Sequence, residues 1–376
     1  MNLTNIKVAL VHDWLTGMRG GEKVLEALCE IFPSADIYTL VYIPGSTSKI
    51  IEDRKIHTSF IQKFPNIEKN YRYYLPVMPL AISQFDLSGY DLVISSSHCV
   101  AKGVKIGDKT LHICYCHTPM RYIWDMYDLY FGKNSNSSFF AKLAMRVIRK
   151  HLQHWDVKTS QNVDFFVANS NNVKERIKRI YNRDSFVIYP PVNTDFFVPA
   201  SFKNNPDLKK DSYYLVVSAF APYKKIDIVI EAFKMLKRNL KIIGSGQQEF
   251  YLKKLAKKHN NIEFLGWVDD EKLKYYYQNA KALIFPAEED FGIVPVEAQA
   301  CGIPVVAYRK GGVLETVIEN HTGIFFDTQT PQAVKEAVLK FEKMVFEPQK
   351  IRQQALKFSK ERFIKEIKEF IKEKLI

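Results

Sequence analysis

The chain has 376 residues, 47% of them hydrophobic and 25% charged, and carries a formal net charge of +13. That length exceeds what a single core usually serves, so two domains are expected of an otherwise ordinary folded composition. No apolar run of roughly 18 residues occurs, which speaks against a membrane-spanning helix, and five scattered cysteines (29, 99, 114, 116, 301) fit a reducing cytoplasm better than a disulfide framework.

In chain order, the N-terminus lacks the basic and apolar regions of a signal peptide. Ile6 to Val11 reads as a parallel strand buried on both faces. Gly20-Gly21-Glu22 then opens a helix whose apolar positions are Val24, Leu25, Leu28 and Phe32. Further strands are expected at 37–42, 92–95, 111–116 and 165–168, with helices between several of them. This alternation predicts a doubly wound α/β domain.

Residues 139–155 set Phe139, Phe140, Leu143, Ala144, Val147, Ile148 and Leu152 among Arg146, Arg149 and Lys150. Such a helix can lie on a membrane surface, or pack on the core with a basic face outward; the apolar stretch Tyr73 to Leu80 adds to the membrane reading. Between Lys142 and Arg183 there are ten basic and three acidic residues. Basic charge of this kind attracts anionic lipid, phosphorylated ligands or nucleic acid alike, or is simply a solvated face.

Residues 190–212 break the pattern with Pro190, Pro191, Pro199 and Pro206 among asparagines, and read as a linker. Strands are expected again at 213–217, 240–243, 262–265, 282–285, 305–308 and 323–326, giving a second α/β domain. A Lys/Glu-rich helical tail closes the chain, with Ile364, Ile367, Phe370 and Ile371 at helical spacing. The expected division is a first domain over 1–195, a linker over 196–212, a second domain over 213–349, and a tail over 350–376 packing back toward the first domain.

The most informative stretch is Glu289-Asp290-Phe291-Gly292-Ile293-Val294-Pro295-Val296-Glu297. One acid precedes a turn at Gly292, and the second falls just inside a helix. A helix N-terminus presents free N–H groups and attracts phosphate, Gly292 permits close backbone approach, and two carboxylates beside an anion site can hold hydroxyl groups. Phosphate with many hydroxyls describes a nucleotide sugar. The other candidates, Gly20-Gly21, His117, Lys224-Lys225 and Gly244-Ser245-Gly246, lie at strand ends, where open α/β sheets bind ligands. They come from both domains, which predicts a site in the cleft between them.

Cys114-Tyr115-Cys116-His117 invites a metal reading, but zinc sites use a second ligand pair, and strand alternation puts both cysteines on one core face. No Asp-x-Asp occurs to carry a divalent ion, so no metal and no cofactor are expected.

These features resemble the retaining GT-B glycosyltransferases of glycosyltransferase family 4, also called glycosyl transferases group 1. The resemblance covers essentially the whole chain. It rests first on the two glutamates flanking Phe291-Gly292-Ile293-Val294-Pro295. Pro222-Tyr223-Lys224-Lys225-Ile226-Asp227, Gly244-Ser245-Gly246, Leu265-Gly266-Trp267-Val268-Asp269-Asp270 and Ala300-Cys301-Gly302-Ile303-Pro304 support it. Arg19-Gly20-Gly21-Glu22-Lys23 and Cys116-His117-Thr118-Pro119-Met120-Arg121-Tyr122-Ile123-Trp124-Asp125 are similar to a mannosyltransferase branch of surface-polysaccharide assembly.

The resemblance implies two Rossmann-like α/β domains and retaining transfer of a hexose without a metal, the preferred donor being GDP-mannose. The implied acceptor is a lipid-linked oligosaccharide or glycan at the cytoplasmic membrane face. Glu289 would stabilise charge at the anomeric centre, Glu297 would hold the ribose, and N–H groups from Phe291, Gly292, Ile293 and Val294 would hold sugar hydroxyls and phosphate. Lys224 would stabilise the leaving diphosphate; Gly20, Gly21 and Gly244 would line the donor site; His117 would contact the sugar; Val268 and Asp270 would flank the base. Asp13 and Arg121 are candidate acceptor or phosphate contacts. Many members have Gly-Arg where this chain has Ser218-Ala219, so a second diphosphate cation is missing, with Lys225 or Arg121 as substitutes. Rival readings are a UDP-sugar-dependent enzyme, a GT-B epimerase, an inactive nucleotide-sugar sensor and a basic nucleic-acid-binding protein. No nucleic acid is expected, because the sequence has no recognised module or basic arm.

Overall fold

Strand β1 (Val8–His12) is buried along its whole length, as a strand paired on both edges and covered on both faces must be. In the computed structural model, which describes residues 6–132, 139–200 and 213–375, β1 pairs in parallel with β2 (Asp36–Thr39) and β4 (Leu92–Ser97). The sheet extends through β3 (Ile56–Thr58), β5 (Leu111–Cys116), β6 (Phe165–Ala168) and β7 (Ser185–Val187) in the order β3-β2-β1-β4-β5-β6-β7. The order reverses direction between β1 and β4, the switch point at which such sheets bind ligands. The register sets His12 beside Ser96 and Ser97 beside Cys116.

The second sheet runs β10-β9-β8-β11-β12-β13. Its strands are β8 (Tyr213–Val217), β9 (Asn239–Ile243), β10 (Ile262–Gly266), β11 (Leu283–Phe285), β12 (Val305–Tyr308) and β13 (Gly323–Phe326), again all parallel. Its core is the helix Ile226–Leu236 packed through Val229, Ile230 and Phe233 against Tyr214, Val216 and Ile242.

The chain divides into two compact units, Met1–Pro191 with Glu361–Ile376, and Val192–Lys360. The expected boundary at 195 therefore moves back. Val192 donates its N–H to the Phe358 carbonyl, and Phe197 is buried with its own carbonyl held by Arg352. The first part of the expected linker is packed structure of the second unit, and residues 201–212 lie outside the described residues. The expected tail is likewise split. The helix Pro348–Leu356 stays with the second unit, and the helix Lys360–Lys374 buries Phe363, Ile367, Phe370 and Ile371 in the core of the first. The expected strand at 37–42 ends at Thr39, since Leu40 and Val41 turn into the core and Val41 accepts from Leu15.

The helix Phe139–Ser160 forms as expected. Its side chains at 139–141, including Phe139 and Phe140, lie outside the described residues. Met145 and Leu152 are buried, while Leu143 and Val147 are exposed beside exposed Arg146, Lys150 and Lys158. Its inner face is fixed by Asp156, whose carboxylate accepts from Lys102, Trp124 and Tyr181. The five cysteines are free and buried.

Candidate functional site

In the second unit, β11 delivers the chain to a turn that puts Glu289 against Lys224. Their side chains form an ion pair, each about five-sixths buried. The turn is clamped from behind by Gly311 and Gly312. Gly311 bridges Glu289, and the Gly312 N–H donates to the Glu289 carbonyl at 2.9 Å. A Cβ on Gly312 would lie 2.4 Å from the Asp290 carbonyl oxygen, so only glycine fits. This Gly-Gly pair after β12 was missed in the sequence, although the same signal singled out Gly20-Gly21.

Gly292, at φ 87°, caps the helix Ile293–Ala300. Ile293 and Val294 occupy its first turn, where N–H groups have no intrahelical acceptor, and Pro295 has no N–H to offer. Phe291 is buried, with its ring packed edge-on against Phe358 at 5.6 Å. Its side chain therefore belongs to the core and only its backbone could meet a ligand. Glu297 is 5% exposed and accepts a hydrogen bond from the buried Tyr277 hydroxyl at 3.1 Å. Burial and the Glu297 carboxylate push the Tyr277 phenol well above its ordinary value, which keeps it a donor. Removing that donor in Tyr277→Phe takes one buried hydrogen bond from Glu297 and should lower the unfolding free energy by about 1–3 kcal/mol. Urea unfolding checks this; an unchanged midpoint would mean that the pair adds nothing to stability.

Lys224 ends a short turn, Pro222–Lys224, and Lys225 sits at φ 53° before the helix Ile226–Leu236. That left-handed backbone costs a residue with a side chain about 1–2 kcal/mol. Gly244 has a different reason from the one expected. Its Cβ would fall 1.9 Å from the Ser218 carbonyl oxygen, and its N–H already donates to Gly266 at 2.8 Å. The glycine is required by chain crossing chain, and its N–H is not available to a ligand. Asp269 caps the helix Asp270–Asn279 through a 2.8 Å bond to the Lys272 N–H. Asp270 is exposed, and Val268 is half-buried beside the exposed Trp267. Ser218 is half-buried and Ala219 exposed, and neither side chain can supply the cation that the resemblance expects at this point.

In the first unit the candidates gather at the carboxyl ends of β1, β4 and β5. His117 bonds Ser96 Oγ through Nε2 at 2.8 Å, and Ser96 Oγ also bonds His12 Nδ1 at 3.1 Å. Gly21, in the first turn of the helix Gly20–Ile31, lies against both rings; a Cβ there would be 3.3 Å from His12 and 3.6 Å from His117. Burial, with His98, His12 and Arg121 nearby, holds His117 well below the ordinary histidine value, so it is neutral. His12, Ser96 and His98 were missed in the sequence. Arg121 is half-buried, with a guanidinium nitrogen 4.0 Å from Met126 Sδ.

Asp13 needs correcting. It is fully buried, and both oxygens are occupied: Oδ1 accepts from the Val100 and Ala101 N–H groups, Oδ2 from those of His98 and Cys99. The His98 ring lies 3.0 Å away. Burial alone would raise this carboxyl, but His98 and His12 hold it below the usual carboxylate range. Asp13 shapes the loop after β4 and has no oxygen left for an acceptor or a phosphate. Among the described residues no group of His, Cys, Asp or Glu is arranged to hold a metal.

Comparison with known proteins follows the same division. Residues 18–196 match Glycosyltransferase Family 4, and residues 198–358 match Glycosyl transferases group 1. An alpha-1,3/1,6-mannosyltransferase of Dictyostelium discoideum is 26% identical over 62% of this chain and 61% of its own length. A GDP-mannose-dependent alpha-(1-6)-phosphatidylinositol monomannoside mannosyltransferase of Mycolicibacterium smegmatis is 31% identical over 40% of this chain and 44% of its own. The chain thus spans about half the length of the curated relatives it matches. Among solved structures, Anabaena HepE in complex with UDP and glucose superposes with a TM-score of 0.69 at 16% identity, covering 98% of this chain and 100% of that one. That likeness shows the GT-B fold.

Proposed function

The chain belongs to the glycosyl transferases group 1 and family 4 glycosyltransferases, and from that membership we propose that it transfers a hexose from a nucleotide sugar with retention of configuration. The observation that carries the proposal is the Lys224–Glu289 pair at the turn before the Gly292-capped helix, with Glu297 inside that helix held by Tyr277. A cation and first-turn N–H groups suit a diphosphate; the two carboxylates suit sugar and ribose hydroxyls. Lys224 stabilises the leaving diphosphate, the acceptor hydroxyl attacks from the face that the leaving group vacates, and the departing phosphate takes its proton. No metal takes part. Lys225, next to Lys224, supplies the second cation, and in the first unit His117 is the residue proposed to contact a sugar.

The donor we propose is GDP-mannose, in line with the mannosyltransferase relatives; the UDP complex of HepE makes a UDP-sugar the alternative. Selective binding and slow hydrolysis of GDP-mannose, unaffected by EDTA, is the expected outcome against GDP-fucose, UDP-glucose, UDP-galactose and UDP-N-acetylglucosamine. A UDP-sugar response would replace the donor, and silence toward all five would sink the enzymatic reading.

The acceptor we propose is a lipid-linked glycan of bacterial surface-polysaccharide synthesis, met at the cytoplasmic membrane face. No described helix is long and apolar enough to cross a membrane. Supporting surface attachment, Leu143 and Val147 are exposed on the basic face of the helix Phe139–Ser160, and Tyr73 and Leu80 are exposed on the 71–82 segment. Both segments pack on Gly103, where Ile82 and Trp155 lie within contact of an added Cβ. Co-sedimentation with anionic vesicles should fall several-fold in Leu143→Glu/Val147→Glu and in high salt. Equal binding to neutral vesicles, or none, would refute the attachment.

A further inference from the structure

His12, Ser96 and His117 form a chain of hydrogen bonds behind the proposed sugar contact, and a carboxylate lies near its far end. His12 Nδ1 and His117 Nε2 both bond Ser96 Oγ, but a serine hydroxyl has one proton. One histidine must therefore donate to Ser96 and the other accept from it. The far end decides which. His12 is 0% exposed, its Nε2 has no hydrogen-bond partner among the described residues, and the Glu22 Oε1 lies 3.9 Å from it. Burial would raise Glu22, but His12, a backbone N–H and Arg19 outweigh it and hold the carboxyl below its ordinary value, so Glu22 is charged. A carboxylate at that distance attracts a proton on Nε2 and repels a lone pair. A His12 ring whose one proton sits on Nε2 accepts through Nδ1, so that Ser96 donates to it and His117 donates to Ser96 through Nε2–H.

We infer that Ser96 is a positioning residue that transmits the polarity set by Glu22 through His12 and holds His117 in the tautomer with a bare Nδ1, an acceptor for a sugar hydroxyl. The inference rests on the glycosyltransferase reading for its purpose, but not for its geometry. Among the described residues, the other charged or titratable groups around His117 include Tyr115, whose ring packs on it at 5.2 Å, His98 and Asp13, which pair with each other at 3.0 Å, and Arg121.

The test is histidine-¹⁵N NMR on the full chain without donor, at about pH 8, where histidine is neutral. His117 and His12 should each show a protonated Nε2 and an unprotonated Nδ1. In Glu22→Gln the His12 preference should weaken, and in Ser96→Ala the His117 Nε2–H should lose its hydrogen-bonded shift. With a responding donor, Ser96→Ala should lower kcat about tenfold at unchanged KM, and Ser96→Thr should restore it. A proton on Nδ1 of either ring in the wild type overturns the inference, as does a Ser96→Ala enzyme with wild-type kcat. Absence of turnover with every donor counts against the enzymatic reading alone, because the tautomers are read without it.

Discussion

Lys224→Ala is expected to slow donor turnover by about 10²–10³-fold while the protein still folds. The lysine is the cation at the proposed diphosphate site, and in the structure it neutralises Glu289. Diphosphate binding would draw the ammonium toward a stronger anion and leave Glu289 free to face the sugar. Alanine removes charge stabilisation in the transition state and also leaves a largely buried carboxylate without its partner, so some loss of stability accompanies the loss of rate. Lys224→Arg keeps the charge with a different donor geometry and should recover part of the rate. Single-turnover kinetics beside a thermal melt separates the effects. Turnover within a few-fold of wild type in a folded Lys224→Ala protein would remove Lys224 from the chemistry.

The second large effect is on folding. Asp13 holds four successive N–H groups of the loop after β4 and the ring of His98. Asp13→Ala leaves those buried donors without an acceptor, at a cost of about 3–5 kcal/mol by analogy with other broken buried pairs. Asp13→Asn keeps one oxygen and should cost less. The folded carboxyl is depressed below its unfolded value, so its contribution is present above the unfolded value near about 4. That contribution is lost as pH falls through the lower folded value. Urea unfolding across this acid range should show a slope in the wild type that Asp13→Asn lacks by one proton. Identical slopes would mean that Asp13 is not the charged clamp described.

Much of the second-unit site was legible because its pieces are close in sequence. A turn with Gly292, a helix start and two acids eight residues apart are local facts, and local facts survive in composition. Tyr277 and Gly311-Gly312 were not legible as partners of that turn, because sheet order brings them there and no spacing records it. The first-unit cluster was hidden for the same reason: His12 meets Ser96 through the β1–β4 register. Gly244 was visibly special, yet a sequence does not say whether the missing Cβ makes room for a ligand or for the Ser218 carbonyl. Asp13 at a strand end looked available, and only the four N–H groups converging on it show otherwise. Strands β3 (Ile-His-Thr) and β7 (Ser-Phe-Val) lack the apolar run that marked the equally short β11.

The split of the first unit across the chain sets an order of assembly during synthesis. Phe363, Ile367, Phe370 and Ile371 lie in the same core as Leu10, Val24 and Leu28, but the ribosome makes all of Val192–Lys360 in between. At roughly 5–20 residues per second, the first unit waits on the order of ten to thirty seconds with part of its apolar core uncovered. The second unit is complete as a contiguous stretch before that wait ends. The unit begun first is therefore the unit finished last, and until then the nascent chain depends on the last helix still to come.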